Sequence, residues 1–576
     1  MTVEKAHVIR RTANDEQIDI QQALTNYENE EWRSWPNQGA FDGLDEHRGP
    51  IELEVKGNIP SWAAGTFYRT GPGQSVVENT SRGTHYVSHW FDGFAQIHKF
   101  DITPTAGEKE TCSVTYSSRR QSEEWIELVK KRGWRVDISF GQRSDPCVGL
   151  FAKFMSLFVP RQINNNVTVI PNLPGLRDKH SAQGGHRKEP ANVYACTDNA
   201  TFQKLDPRTL EPLGKATQKS LHPDLKGPMS CAHAQRDPET GDLFNFNLEP
   251  GIRATYRIFR VNAKSGTTDI LATISDRELA PAYIHSFFLT ENHVILCVPT
   301  SHYGWKGLKV LWERNIIDSI KPFDNKDDCK WLVVDRRQGR GVVARFSTPA
   351  SFFFHTVNAF EEKSKDGNGD EVTDLYMDYV GYEDANLMRM LYYDILTDRN
   401  GAAAKGLAEC GLKSAQSRLV RQKFTMHAHS QQNDDDGALY SRLAKEVFSI
   451  PGPHSGDLPT INPNRAGKVY RYAYGVGNGG RSIFMDCLVK TDLRTREALI
   501  WSGPVGHTPG EPMFIPRPGG AEEDDGVIMA LVLDSSGRKS YLMCLDAKTF
   551  EELGRAETDF PIALCLHGSR TPLPGT

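Results

Sequence analysis

No stretch of the sequence approaches the ~18 consecutive apolar residues that a spanning helix needs. The opening segment, MTVEKAHVIRRTANDEQIDIQQ, is polar and charged and lacks the apolar core of a secretory signal. The ten cysteines are scattered and form no C-x-x-C pair, which suits a reducing compartment. Charge of one sign is also missing: the net charge is −5, so a polyanion-binding role and a nucleic-acid partner are not expected. Basic runs are short; one of them, VKKRGWR at Val129–Arg135, reads as a solvated face. These absences predict a cytoplasmic protein that is not secreted, unless it lies on a membrane surface. They leave the oligomeric state open.

Turn residues and aromatics are abundant. The 576 residues include 49 Gly, 32 Pro and 27 Phe, a mixture of short strands joined by turns. Four segments share one form, a strand, then Asp or Asn with Pro, Thr, Ser or Gly, then a strand: LDPRTLEPLG, RDPETGDLFNF, VNAKSGTTDIL and LDAKTFEELG. Each is a hairpin by its turn chemistry. Evenly spaced units of this kind predict an all-β protein built as a propeller, although no repeat period is sharp enough to count blades. Several β-sandwiches would need polar linkers. The best candidates for linkers, SKDGNGDEV at 364–372 and QQNDDDGALYS at 431–441, read as loop insertions instead. Residues 1–48 are expected to form a polar arm, loosely ordered or wrapped on the surface, and 49–576 a single propeller domain.

The segment DPCVGLFAKFMSLFVPRQ breaks the strand pattern. Within 145–160 it sets Leu150, Phe151, Phe154, Met155, Leu157 and Phe158 around a short helix. Such a helix is either core or an interfacial patch that dips into one leaflet.

Four histidines share a setting at or beside a strand: His233 in MSCAHAQRDPETG, His285 in AYIHSFFLTENHVIL, His355 in FFFHTVNAFEE and His567 in ALCLHGSR. Each taken alone is explained by a core imidazole bonded to a backbone carbonyl. Their wide separation carries no message of the H-E-x-x-H kind. A propeller, however, can bring inner-strand residues of several blades to one axis. Four imidazoles there would suit a first-row transition metal, with iron(II), zinc and copper all allowed. His427 and His429 in TMHAHS could pair on a metal but suit an exposed loop, and His85 and His89 suit packing beside Trp90.

With GTFYRTGPG, HWFDGFAQIHKF, VYACTDNATFQKLDP and GEPMFIPRP, those histidine segments resemble the carotenoid cleavage oxygenases, the family that also holds the retinal isomerohydrolase of vertebrate eyes. The likeness runs in family order from about Ile51 to Ser569. It implies a seven-bladed propeller, with a few helices and loops capping the active-site face, and a non-haem Fe(2+) on the axis held by His233, His285, His355 and His567. The family orients its ligands with three acids, usually glutamates. The matching positions are Asp198, Asp457 and Glu511, two of them one methylene short. Thr197 matches a residue whose methyl crowds one position of the metal. No further catalytic side chain is implied.

The resemblance implies a dioxygenase that cleaves a conjugated C=C bond of a carotenoid or apocarotenoid with O2, giving two aldehydes. Retinyl-ester isomerisation and stilbene cleavage are other activities of this scaffold. Stilbene cleavers carry a lysine where Thr197 stands, which speaks against that class. The apolar segment lies where membrane-associated relatives have their interfacial patch, with Cys147 a conceivable acylation site. The polar N-terminus and insertions are similar to fungal members that cleave torulene. Phe287, Phe352 and Phe353 are expected along the substrate tunnel. A propeller serving only as a protein-binding platform, with structural histidines, is the alternative from another class.

Overall fold

The computed structural model describes residues 6–41, 44–105, 111–135, 137–143, 164–176, 190–411, 416–427 and 439–573. The apolar segment at 145–160, with Cys147, lies outside the described residues, as do His429 and most of 431–441.

The turn signals fold by side-chain geometry. Oδ1 of Asp206 accepts the N–H groups of Arg208 and Thr209, both at 2.9 Å. Asp237, Asn262 and Asp546 repeat this clamp on the residues two and three positions ahead. Each clamp pins a reversal between antiparallel strands, because the short side chain substitutes for a backbone acceptor.

The result is a series of antiparallel meanders. One sheet orders Pro212–Thr217, Thr201–Leu205, Val193–Cys196 and Thr168–Pro171; the next, Gln235–Arg236, Leu243–Glu249, Thr255–Val261 and Thr268–Ile274. Two more run from Phe288–Leu289 to Val342–Thr348 and from Phe352–Lys365 to Lys445–Pro451. A fifth runs from Asp457–Thr460 outward to Ala498–Ser502 and takes His7–Arg11 as its outermost strand. The last sheet is ten-stranded: Ile51–Gly57 pairs with Glu552–Glu557 on one side and Cys112–Arg120 on the other, joining two meanders.

Apolar clusters bind each sheet to the next. They contain Phe202 with Phe259, Phe246 with Leu332, Trp331 with Met377, and Phe360 with Ala473. Tyr474 with Met543 and Met529 with Phe100 carry the packing into the ten-stranded sheet, and Ile97 with Val193 returns it to the first. The sheets therefore close into a ring, which is the propeller. Strand His567–Pro572 zips onto Gly65–Gln74, with His567 opposite Thr70, so the chain's last strand completes a sheet begun near its start.

Three segments differ from expectation. SKDGNGDEV is no loose insertion: only 366–370 turns, and its flanks extend the strands Phe352–Lys365 and Glu371–Tyr382. Arg135 is not on a solvated face. It is buried, stacked over Trp125 and paired with Asp137 at 3.0 Å, because the helix Glu123–Arg132 ends at Gly133 and turns the chain inward. Within 1–48, the helix Glu16–Glu28 follows the added strand, and Trp32 and Trp35 are buried.

Candidate metal centre

Each of the four histidines stands on or just before the edge strand of a different meander. His233 precedes Gln235–Arg236, His285 precedes Phe288–Leu289, His355 lies in Phe352–Lys365 and His567 opens His567–Pro572. Those edges face the middle of the ring, and the four imidazoles meet there. Nε2 of His233 lies 3.1 Å from Nε2 of His285 and 3.0 Å from that of His567, and His355 Nε2 lies 3.2 Å from His567 Nε2. All four ligand atoms fall within 4.8 Å of one another.

The opposite ring nitrogens explain the orientation. Nδ1 of His285 donates to Asp198 Oδ2 at 2.7 Å, Nδ1 of His355 to Asp457 Oδ1 at 2.6 Å, and Nδ1 of His567 to Glu511 Oε1 at 2.7 Å. A carboxylate only accepts, so each Nδ1 carries the proton and each Nε2 turns a lone pair toward the centre. Among the described residues, His233 has no carboxylate partner. Burial pushes His233 and His567 well below the usual histidine range, and the neighbouring imidazoles push the same way. Four lone pairs at such distances repel unless a cation lies between them. Nitrogens at right angles on a cation about 2.1 Å away would stand about 3 Å apart, so the donor set fits a divalent first-row ion.

The acids have supports of their own. Tyr283 donates to Asp198 Oδ2 at 2.7 Å, and Tyr382 to Asp457 Oδ2 at 2.6 Å. Burial pushes Asp457 up, but His355, Tyr382 and the Leu458 N–H outweigh it and hold the carboxyl below its ordinary value. Burial raises Glu511 above its ordinary value against the pull of Arg69, which is itself fully buried and donates from Nη1 to Oε2 at 2.6 Å. Sequence reasoning missed these three partners. Tyr283 was findable, since it sits two positions before His285 in YIH. Arg69 and Tyr382 carry no comparable local signal.

A cavity of about 680 Å³ adjoins the centre, and His285, His355, His567, Thr197 and Asp198 are on its wall. The expected tunnel phenylalanines are not. Phe287 packs against Phe246, Phe353 against Tyr379, and Phe352 against Phe354. The reason is a slip of the ladder between Phe353 and Thr356, which lets the adjacent Phe354 and His355 both reach the cavity. Phe354 stands 5.4 Å from the His285 ring, Phe91 5.9 Å from Phe354, and Trp90 5.6 Å from Phe91, a continuous aromatic wall. His89 does not line the cavity: its Nε2 meets the Met388 carbonyl at 2.8 Å in the core, and its ring packs against Phe91, Phe140 and Tyr392. His427 is exposed at a strand end.

The family model described as retinal pigment epithelial membrane protein matches residues 40–572. The chain belongs to this family, the carotenoid oxygenases. It is 53% identical over 574 residues to the torulene dioxygenase of Fusarium fujikuroi, covering 98% of each chain. To the carotenoid dioxygenase of Neurospora crassa it is 48% identical over 596 residues, covering 99% of this chain and 97% of the other. Among solved structures, a cobalt-substituted apocarotenoid oxygenase of Synechocystis superposes with a TM-score of 0.66 at 20% identity, covering 94% and 98% of the two chains. This carotenoid oxygenase is thus a member of a family of metal-dependent dioxygenases that share its propeller. Among the described residues, no helix is long and apolar enough to cross a membrane.

Proposed function

We propose that this carotenoid oxygenase cleaves a conjugated C=C bond of a carotenoid or apocarotenoid with O2, giving two aldehydes. The observation that carries this reading is the four-imidazole centre opening on an apolar, aromatic-walled cavity. His233, His285, His355 and His567 would hold Fe(2+), with Asp198, Asp457 and Glu511 keeping three of the rings in register. Bound there, iron(II) supplies the dioxygen activation that no amino-acid side chain provides. The protein does the rest. Phe354, Phe91 and Trp90 offer flat faces to a polyene and exclude water, and Thr197 narrows the space beside the centre. The double bond breaks and each carbon takes one oxygen atom, so no reductant and no protein nucleophile are required. Torulene and its apocarotenoids are the favoured substrates, given the relatives. Thr197 supplies no cation to a phenolic hydroxyl, so stilbene cleavage is disfavoured.

Seven blades is the reading that divides the ten-stranded sheet at Ile51–Gly57, with 49–576 as one domain and 1–48 as an arm fastened to it through the strand His7–Arg11. Loading is read as occurring from a membrane surface in the cytoplasm. Beside the wall residues Leu308 and Leu311, exposed by 63% and 44%, stand Trp305 and Trp312, exposed by 59% and 60%, a mouth suited to an apolar solute. Aerobic incubation with torulene, β-carotene, apocarotenals and resveratrol under 18O2 tests the activity. Labelled aldehydes from the polyenes are expected, and products from resveratrol alone would overturn the assignment. Co-sedimentation with liposomes, reduced by L308D/W312D, checks the mouth; sedimentation unaltered by that pair would refute it.

A further inference from the structure

The N-terminal helix Glu16–Glu28 reaches the cavity with one side chain. Tyr27 is 5% exposed and stands on the cavity wall with Asn478, Ile483 and Phe484. Its ring packs 6.4 Å from Trp32.

The same helix grips the loop that carries its cavity neighbours. Asn26 Nδ2 donates to the Gly479 carbonyl at 2.7 Å. Gly480 has φ +79°, and a Cβ there would lie 2.1 Å from the Ala23 carbonyl oxygen, so only glycine lets the helix settle at this point. From below, buried Asp486 accepts the N–H of Gly479 at 2.7 Å and of Arg481 at 2.9 Å. The loop is thereby fixed between helix and sheet. Phe484 then meets Trp90 at 4.9 Å and joins the aromatic wall that ends at His285.

The helix is fastened as part of the body. Glu16 takes both Nε and Nη2 of Arg496, at 2.9 and 2.6 Å, and Asp19 Oδ2 meets Nε2 of buried His454 at 2.7 Å. Strand His7–Arg11 is paired along its length with Ala498–Ser502. The cavity wall is open to solvent at Leu308 and Leu311, whereas around Tyr27 it is closed by buried Trp90, Ile483 and Tyr382.

We propose that Tyr27 is a specificity-determining residue: the N-terminal helix closes the inner end of the cavity, and Tyr27 there limits how far an extended polyene can enter. A conjugated chain is a stiff rod, so its stopping point decides which double bond rests beside the histidines. This rests on the polyene-cleavage reading and adds to it the selector of chain length. The shape of the ring does the work, not its hydroxyl.

The test uses the full chain carrying Tyr27→Ala, Tyr27→Trp or Tyr27→Phe, with all-trans polyene aldehydes of graded length. Binding is read without turnover, by quenching of tryptophan fluorescence under argon, and cleavage products are then read in air. Metal content, which Tyr27 does not touch, and the thermal midpoint confirm that each variant is folded. Tyr27→Ala is expected to move the preference toward longer aldehydes by about tenfold or more, as filling or emptying a pocket does. Tyr27→Trp should move it toward shorter ones, and Tyr27→Phe should keep the wild-type profile. A folded, metal-bearing Tyr27→Ala with the wild-type length profile would overturn the proposal. Wild type that binds in a length-dependent way, with Tyr27 variants shifted but no cleavage in air, would sink the activity and leave the length selector standing.

Discussion

His355 has a partner at each ring nitrogen: Asp457 at Nδ1 and the shared centre at Nε2. That arrangement explains an imidazole at the end of three phenylalanines, where an unpartnered ring would cost about 1–3 kcal/mol. Replacing Asp457 with Ala leaves the ring free to turn and its tautomer unset. Affinity for iron or cobalt, read by competition with a chelator, is expected to fall about 10–100-fold while the fold persists. An unchanged affinity would show that the carboxylate does not orient the ring. At this scale the sequence was legible only in part. No local pattern connects His233 to His567, because the ligands come from four separate strands, and family likeness was what joined them. The tunnel phenylalanines misled because plain alternation cannot foresee the ladder slip after Phe353. Tyr27 was invisible, since nothing in TNYENEE signals a place in a cavity half the chain away.

At the scale of elements, local chemistry was easiest to read. The four Asp and Asn clamps were visible as turns because each needs only its own next three residues. The exact sheet partners were not, since inner strands such as Val193–Cys196 and Gly526–Asp534 are buried on both faces and pairing depends on the ring closing. Trp331 illustrates the closing force. It stacks 5.3 Å from Phe346 and lies 6.2 Å from Tyr379 on the neighbouring sheet. Replacing it with Ala should cost about 3–5 kcal/mol, read from the urea midpoint and slope. A loss below ~1 kcal/mol would mean that this inter-sheet cluster does not govern the ring.

For the whole molecule, burial of histidines away from the centre sets a pH dependence. Burial pushes His89 and His98 down to about 3; Arg143 adds to the shift at His89 and Arg69 at His98, while the Met388 carbonyl opposes it at His89. In the unfolded chain both would titrate near ~6.5. As pH falls below that value the unfolded chain binds protons that the folded chain refuses until about pH 3. Stability therefore drops across this window, by up to about 1.4 kcal/mol per pH unit for each histidine. Urea midpoints should decline between pH 6.5 and 5, before most carboxylates titrate, and a flat profile there would contradict the assignment. The claim on which the oxygenase reading hangs is that a single ion joins the four edge strands. Anomalous scattering at the iron absorption edge, recorded from crystals of active protein, tests it most directly. One peak bonded to Nε2 of His233, His285, His355 and His567 is predicted; fully active crystals with no peak between those rings would contradict it.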